Sequence, residues 1–227
     1  MIKKKLKLYY RASTQIFFKN LYGKVLASNT VAKLIKKEKI NDNTFKKYNG
    51  KIYHIYEIKN ARIFTDNNEN VAIIKNNFVL PFISFQQING KFKSIKYNSA
   101  VKKGTPSFIT KIRGRVFNLC QGDSGNNYFH FLFDIVPKIY LLKTKINLNK
   151  IDYFYVSDPK KWQINIFKIL GIDKKKLLSS KNNKHIFANE IYAVDHPWYN
   201  KGYIQQNVKK IPKWIIYQNR KIFLNKS

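Results

Sequence analysis

Residues 115–142, RVFNLCQGDSGNNYFHFLFDIVPKIYLL, decide how this chain is read. Positions 115–120 carry the β-branched and aromatic side chains of a strand, 121–127 form a polar loop, and 128–142 read as a helix capped by Asn126 or Asn127. Within that helix every side chain is apolar or aromatic except His130, Asp134, Pro137 and Lys138. Pro137 would kink the helix or divide it in two. His130, Asp134 and Lys138 stand at i, i+4 and i+8, which puts them on one face. Buried polar groups are costly unless paired, so such a stripe faces a partner, a ligand or a cleft. The plainer alternative is that Asp134 pairs with His130 or Lys138 along an exposed helix face, a contact worth roughly a few tenths of a kcal/mol.

Outward from this stretch the alternation continues. Residues 153–156 read as a buried strand, 160–170 as a helix stopped by Gly171, and 190–194 as another strand. Pro212 suits the first turn of a helix over 213–220, and 221–224 looks like the start of a further strand. This order predicts an α/β fold with a mostly parallel, Rossmann-like sheet over 113–227. No Gly-x-Gly-x-x-Gly fingerprint and no phosphate-binding P-loop is present. Upstream, the β-prone runs 52–58, 61–64, 71–74 and 78–80 are broken by turn residues at 66–70 and 76–77, which predicts a small β-meander within 51–112. Residues 1–47 read as a basic helical extension: Ile16, Phe17, Leu21 and Val25 recur near helical spacing, and Asn29 or Thr30 would cap a second helix over 31–39. The division expected is therefore 1–47 as extension and 48–227 as the main domain.

Asn127, Tyr128, His130, Phe131, Asp134, Pro137 and Lys138 also match a known signature. The run resembles that of the family-61 glycosyltransferases, which include many capsular polysaccharide biosynthesis proteins. The resemblance covers about residues 51–227 and implies the first half of a GT-B enzyme, with its site in the cleft between two Rossmann-like halves. It implies transfer of a sugar from a nucleotide-sugar to a glycan hydroxyl, with the nucleotide-sugar as co-substrate and no other cofactor. In that chemistry a base removes the hydroxyl proton and cationic groups stabilise the departing phosphate. His130 is the candidate base, since an imidazole accepts a proton near neutral pH, and Asp134 either orients it or is the base. Asn126 and Asn127 would position hydroxyls or cap the helix, and Lys138 would attract phosphate or pair with Asp134. His196 and Trp198, in the Asp195-His196-Pro197-Trp198 run after a strand end, would line the same cleft, with Trp198 stacking on a sugar, or else belong to a packed loop. Family members carry a further His-Gly motif in the second half, absent here; 220–227 looks like the first strand of that half. The expectation is a chain truncated or split before its donor half, with a second polypeptide supplying the remainder.

Composition bounds the alternatives. The chain of 227 residues is 44% hydrophobic, which is enough for a core, and carries a formal net charge of +32. That charge comes from 39 Lys and only 5 Arg, beside 26 Asn and 30 Ile, a set with AT-rich codons. Base readout favours Arg forks, so no specific nucleic acid is expected. The competing class is a non-enzymatic basic protein that binds nucleic acid or anionic surfaces, which salt would weaken steeply. The start of the chain is basic, but Arg11, Gln15 and Lys19 interrupt any signal-peptide core, so a cytoplasmic protein is expected, in peripheral contact with the anionic inner membrane face. Cys120 is the sole cysteine, and the four histidines show no zinc spacing, so no metal is expected. Asp123-Ser124 lacks a hydrolase elbow pattern, and Asp158-Pro159 reads as a turn.

Overall fold

The computed structural model describes residues 2–28, 35–42, 45, 52–67, 70–198 and 201–224. A long helix, α1 (Ile2–Tyr22), leads into β1 (Lys36–Ile40), β2 (Tyr53–Asn67), β3 (Asn70–Lys75), β4 (Phe85–Ile88) and β5 (Lys91–Phe92). Then come β6 (Thr110–Asn118), a composite helix over Tyr128–His130, Phe131–Ile135 and Val136–Lys143 that we call α2, β7 (Tyr153–Val156), α3 (Lys161–Ile169), β8 (Leu177–Ser179), β9 (His185–Val194) and α4 (Lys213–Leu224). Together with short strands at Leu26–Ala27, Phe78–Val79 and Gly202–Tyr203, the described strands make one twelve-stranded sheet.

The sheet has two characters. Strands β8, β7, β6 and β9 lie side by side in that order and are parallel throughout. Chain order 6-7-8-9 thus becomes spatial order 8-7-6-9, reversing direction between β6 and β9. On the far side of β9 the long strands are antiparallel, β9 with β2, β2 with both β1 and β3, β3 with β4, and β4 with β5, while the short strand Leu26–Ala27 runs parallel to Phe78–Val79. The protein is therefore mixed α/β, with the expected parallel part and the expected meander joined edge to edge. Asn76 and Asn77 both take positive φ, as do Asn89 and Gly90. These are the two-residue turns that fit the twist of a hairpin.

One line across three strands folds the sheet. Ala188 and Glu190 face Ala61 and Lys59 on one side, and Ile112 and Arg115 on the other. Asn60, Asn189 and the pair Arg113–Gly114 are therefore neighbours. Asn60 (φ 49°) and Gly114 (φ 134°) are left-handed, and the Gly114 N–H donates to Asn189 Oδ1 at 3.3 Å. A Cβ at Gly114 would stand 2.7 Å from the Asp152 carboxylate. Such bulges bend the strands that carry them. The consequence is visible at Tyr155, which is level with Asn118 and so with Ala193, whereas Thr65 is level with Lys184. Nine residues of flat strand would separate those levels by about 30 Å. Yet the Tyr155 hydroxyl lies 3.0 Å from Thr65 Oγ1 and donates to the Asn183 carbonyl at 2.6 Å. Only a sheet folded along the Asn60–Asn189–Gly114 line brings them together.

Helix α2 divides where Pro137 requires it. The Val136 N–H donates to the Phe131 carbonyl, five residues back, so the turn over Phe131–Ile135 is π-helical. In that register the Leu132 carbonyl would look to residue 137, which as proline has no N–H. Asn219 of α4 supplies the missing donor, Nδ2 to Leu132 O at 2.9 Å. This contact also explains a departure from expectation. Residues 221–224 are the last turn of α4, not a strand, because Trp214, Ile215 and Ile222 share the buried face that packs there. The reading of 220–227 as the opening strand of a second half is thereby overturned for 220–224; residues 225–227 lie outside the described set. The second helix expected over 31–39 is likewise corrected: 36–40 is β1, hydrogen-bonded along β2, while 29–34 lie outside the described residues. The turn at 66–70 falls partly outside them too.

His185, the first residue of β9, is fully buried. Its Nδ1–H donates to the Ser107 carbonyl at 3.0 Å, its Nε2 has no partner among the described residues, and the Tyr22 and Phe64 rings flank it. Burial, with Arg62 nearby, pushes its pKa down to about 4. Between the ordinary value of 6.5 and 4 the unfolded chain therefore binds the extra proton, and stability falls as pH drops through that window. The loss should approach roughly 3 kcal/mol. Asp134, whose carboxyl burial raises, works in the opposite sense, so the comparison must be between variants. In urea unfolding at about pH 7 and about pH 4.5, His185→Gln should lose clearly less stability on acidification than the parent. Equal losses would show that His185 is not the acid-sensitive group.

Candidate functional site

Strand order reverses between β6 and β9, and the crevice outside the carboxyl ends of two such strands is where α/β sheets hold ligands. The chain leaves β6 into 119–127 and leaves β9 into 195–198, so both expected site segments emerge there. An open cleft of about 550 Å³ occupies the place. His54 and Tyr56 of β2, Gln121, Lys138 of α2, Asp195 and His196 line it, with Lys37 and Lys201 adding positive charge.

Behind the cleft wall sits a buried polar cluster. Asp134 is 1% exposed. Its Oδ2 meets His130 Nδ1 at 2.9 Å, its Oδ1 accepts the Trp198 indole N–H at 2.6 Å, and His196 Nε2 stands 3.8 Å away. His196 Nδ1 accepts the Trp198 backbone N–H at 3.3 Å, which places the His196 proton on Nε2, toward Asp134. Burial raises the Asp134 pKa, and the donors His130 and Trp198 pull it back. The loop that brings Trp198 in is itself pinned: the Tyr53 hydroxyl donates to the Pro197 carbonyl at 2.7 Å, and the Trp214 indole donates to that hydroxyl at 3.2 Å.

The structure thus brings His130, Asp134, His196 and Trp198 together, though not all into the cleft. His196 lines it; His130 does not, its ring being tied to Asp134 on one side and packed against Phe129. Trp198 is buried, with its N–H on Asp134 and its ring against Phe129 and His196, so it braces the loop and offers no face for stacking on a sugar. Asn127 caps α2, its Oδ1 accepting the His130 N–H at 3.2 Å, and Asn126 is exposed at the helix entry. Lys138 forms no ion pair with Asp134 within 4 Å among the described residues. It is 5% exposed on the cleft wall, and burial brings its pKa down to about 8 against the pull of Asp134. Cys120 is a buried thiol raised by burial to about 12 and is inert at neutral pH.

A second His–Asp pair escapes the sequence reading. Asp195 Oδ2 accepts both the His54 backbone N–H and His54 Nδ1, each at 2.8 Å, while Oδ1 accepts the Tyr56 hydroxyl at 2.7 Å. Burial and then Asp195 raise the Tyr56 pKa, so it remains a donor. Nδ1 of His54 is committed to the carboxylate, which leaves Nε2 as the acceptor of the neutral ring, and the ring is 24% exposed in the cleft. Alternation in β2 puts positions 54 and 56 on one face, which is the one signal the sequence held for His54. Asp195 lies in the 195–198 run that the sequence did flag, but its pairing with a residue 141 positions away left no signal.

Another concavity, about 320 Å³ at the β1–β2 face, is lined by charges that satisfy one another: Lys36 with Glu57, Arg115 with Glu190 and Lys145 with Glu38. Among the described residues no group of three or more His, Cys, Asp or Glu side chains could hold a metal ion. No protein-family model matches the chain and no curated protein matches it.

Proposed function

We propose that this chain is a glycosyltransferase domain, the Rossmann-like first half of a GT-B arrangement, in which the cleft at the ends of β6 and β9 holds the acceptor glycan. The observation that carries the reading is an imidazole, His54, bound through Nδ1 to Asp195 and lining a polar, cation-bearing cleft at the switch point. The resemblance of residues 127–138 to the family-61 signature supports it. The buried Asp134 cluster gives that signature a structural role, because it fixes the 195–198 loop that carries Asp195. In the reaction, His54 takes the proton of the acceptor hydroxyl as that oxygen attacks the anomeric carbon, and the bond from that carbon to the nucleotide phosphate breaks. Lys138, Lys37 and Lys201 supply positive charge for the departing phosphate. His130 acts through Asp134, as a positioning residue.

The nucleotide is assigned to a second half, from another polypeptide or further sequence, since the described cleft has no glycine-rich phosphate cradle. Calorimetric titration tests this division. Oligosaccharide acceptors should bind saturably to residues 1–227, and nucleotide-sugars only weakly. Tight, stoichiometric nucleotide-sugar binding would overturn the division of labour. Binding of nucleic acid that collapses with salt, with no saccharide binding, would favour the non-enzymatic alternative.

A further inference from the structure

Helix α1 runs 21 residues, about 31 Å, and among the described residues it meets the body through its second half, from Ala12 on. Phe18 is buried, packing on Phe108 at 5.0 Å; Tyr22 packs on His185, and its hydroxyl accepts the Ile109 N–H at 3.2 Å. The face turned away from these contacts is apolar. Leu6, Tyr9, Tyr10 and Leu21 recur at helical spacing along it and are exposed, with Leu6 at 63%, Tyr9 at 72% and Tyr10 at 74%, while Ile16 and Phe17, also exposed, continue the stripe where it borders the body, Phe17 at 6.3 Å from Phe108. Lys5, Lys7, Arg11 and Lys19 lie beside or opposite that stripe, and the helix contains no acidic residue. No described helix is long and apolar enough to cross a membrane.

An apolar stripe bordered by cations on a helix of this length is the pattern of a segment lying in a lipid–water interface. We infer that α1 is a docking element for an anionic bilayer surface: its aromatic and leucine side chains enter the headgroup region while lysine stems reach back to the phosphates. Charge complementarity selects this occupant. A second copy of the chain would bring another +32 against the same cationic helix, and nucleic acid would leave the apolar stripe in water. The inference stands independently of sugar transfer.

The test uses the full chain and sedimentation with vesicles of phosphatidylcholine, with and without phosphatidylglycerol, at low and high salt. The parent should bind the phosphatidylglycerol vesicles and retain part of that binding at high salt. A Leu6→Ser, Tyr9→Ser, Tyr10→Ser variant keeps every charge and should bind roughly tenfold or more weakly. A Lys5→Gln, Lys7→Gln, Arg11→Gln variant should lose a similar factor, chiefly at low salt, at roughly fivefold per charge or less. Both should keep the parent's melting midpoint, since the altered side chains are exposed. The inference is overturned if the parent ignores both vesicles or if the serine variant binds as tightly as the parent, which is adsorption by general charge. It is equally overturned if equilibrium sedimentation shows the parent paired through this face and the serine variant monomeric.

Discussion

Asp134→Ala should destabilise the fold by about 3–5 kcal/mol, the range for breaking a buried, hydrogen-bonded ion pair. The carboxylate is almost fully enclosed and accepts from His130 and from the Trp198 indole. Removing it takes the Asp134 acceptor from the His130 ring and from the Trp198 indole N–H, and a buried donor that loses its acceptor costs about 1–3 kcal/mol. A small cavity adds to the loss. The damage should spread along the chain, because Trp198 holds the loop that carries Asp195 and His196. Asp134→Asn keeps the shape and an acceptor for Trp198, and needs only the other His130 tautomer, so it should cost about 1–2 kcal/mol. Urea unfolding followed by tryptophan fluorescence measures both. If the alanine variant stays within about 1 kcal/mol of the parent, the cluster does not hold this loop and the two strand ends are fixed by other contacts.

The histidine and the aspartate of that cluster were visible in the sequence because i, i+4 spacing in an apolar helix singles them out. Their burial and their third and fourth partners were not, since Trp198 lies 64 residues away. Local pattern likewise found 153–156, where β-branched and aromatic residues run unbroken, and the end of β6 around Val116 and Phe117. It failed at β1, whose Lys-Lys-Glu-Lys-Ile sequence is exposed except at Ile40 and is a strand only because it pairs with β2. At 221–224 an Ile-Phe-Leu run imitates a strand, yet Ile222 continues the helical face begun by Trp214 and Ile215. Strand β9 begins five residues before its expected start, as His185 and Asn189 interrupt its apolar pattern. Those two are the buried histidine and the bulge partner of Gly114, positions where tertiary structure overrides local preference. The folding line itself is written as Asn60 and Gly114, ordinary residues until their strands are adjacent.

The two imidazole–carboxylate pairs lead to opposite outcomes when each histidine is removed. On the proposed transfer reading, His54→Ala should lower turnover by roughly two to four orders of magnitude with a nucleotide-sugar donor and the second half supplied. Stability should change little, because the ring is partly exposed in the cleft and Asp195 keeps its bonds from Tyr56 and from the residue-54 backbone. Asp195→Asn should retain a fraction of that turnover, since the amide oxygen still accepts from Nδ1 but no longer stabilises an imidazolium. His130→Ala should instead act on the fold: it strips one donor from a buried carboxylate, so its melting midpoint should drop while kcat per folded molecule falls modestly. Measuring kcat and the unfolding midpoint for all three variants separates the roles. If His54→Ala turns over normally while a folded His130→Ala does not, then the base is the histidine of the signature, and the Asp195 pair merely braces the end of β9.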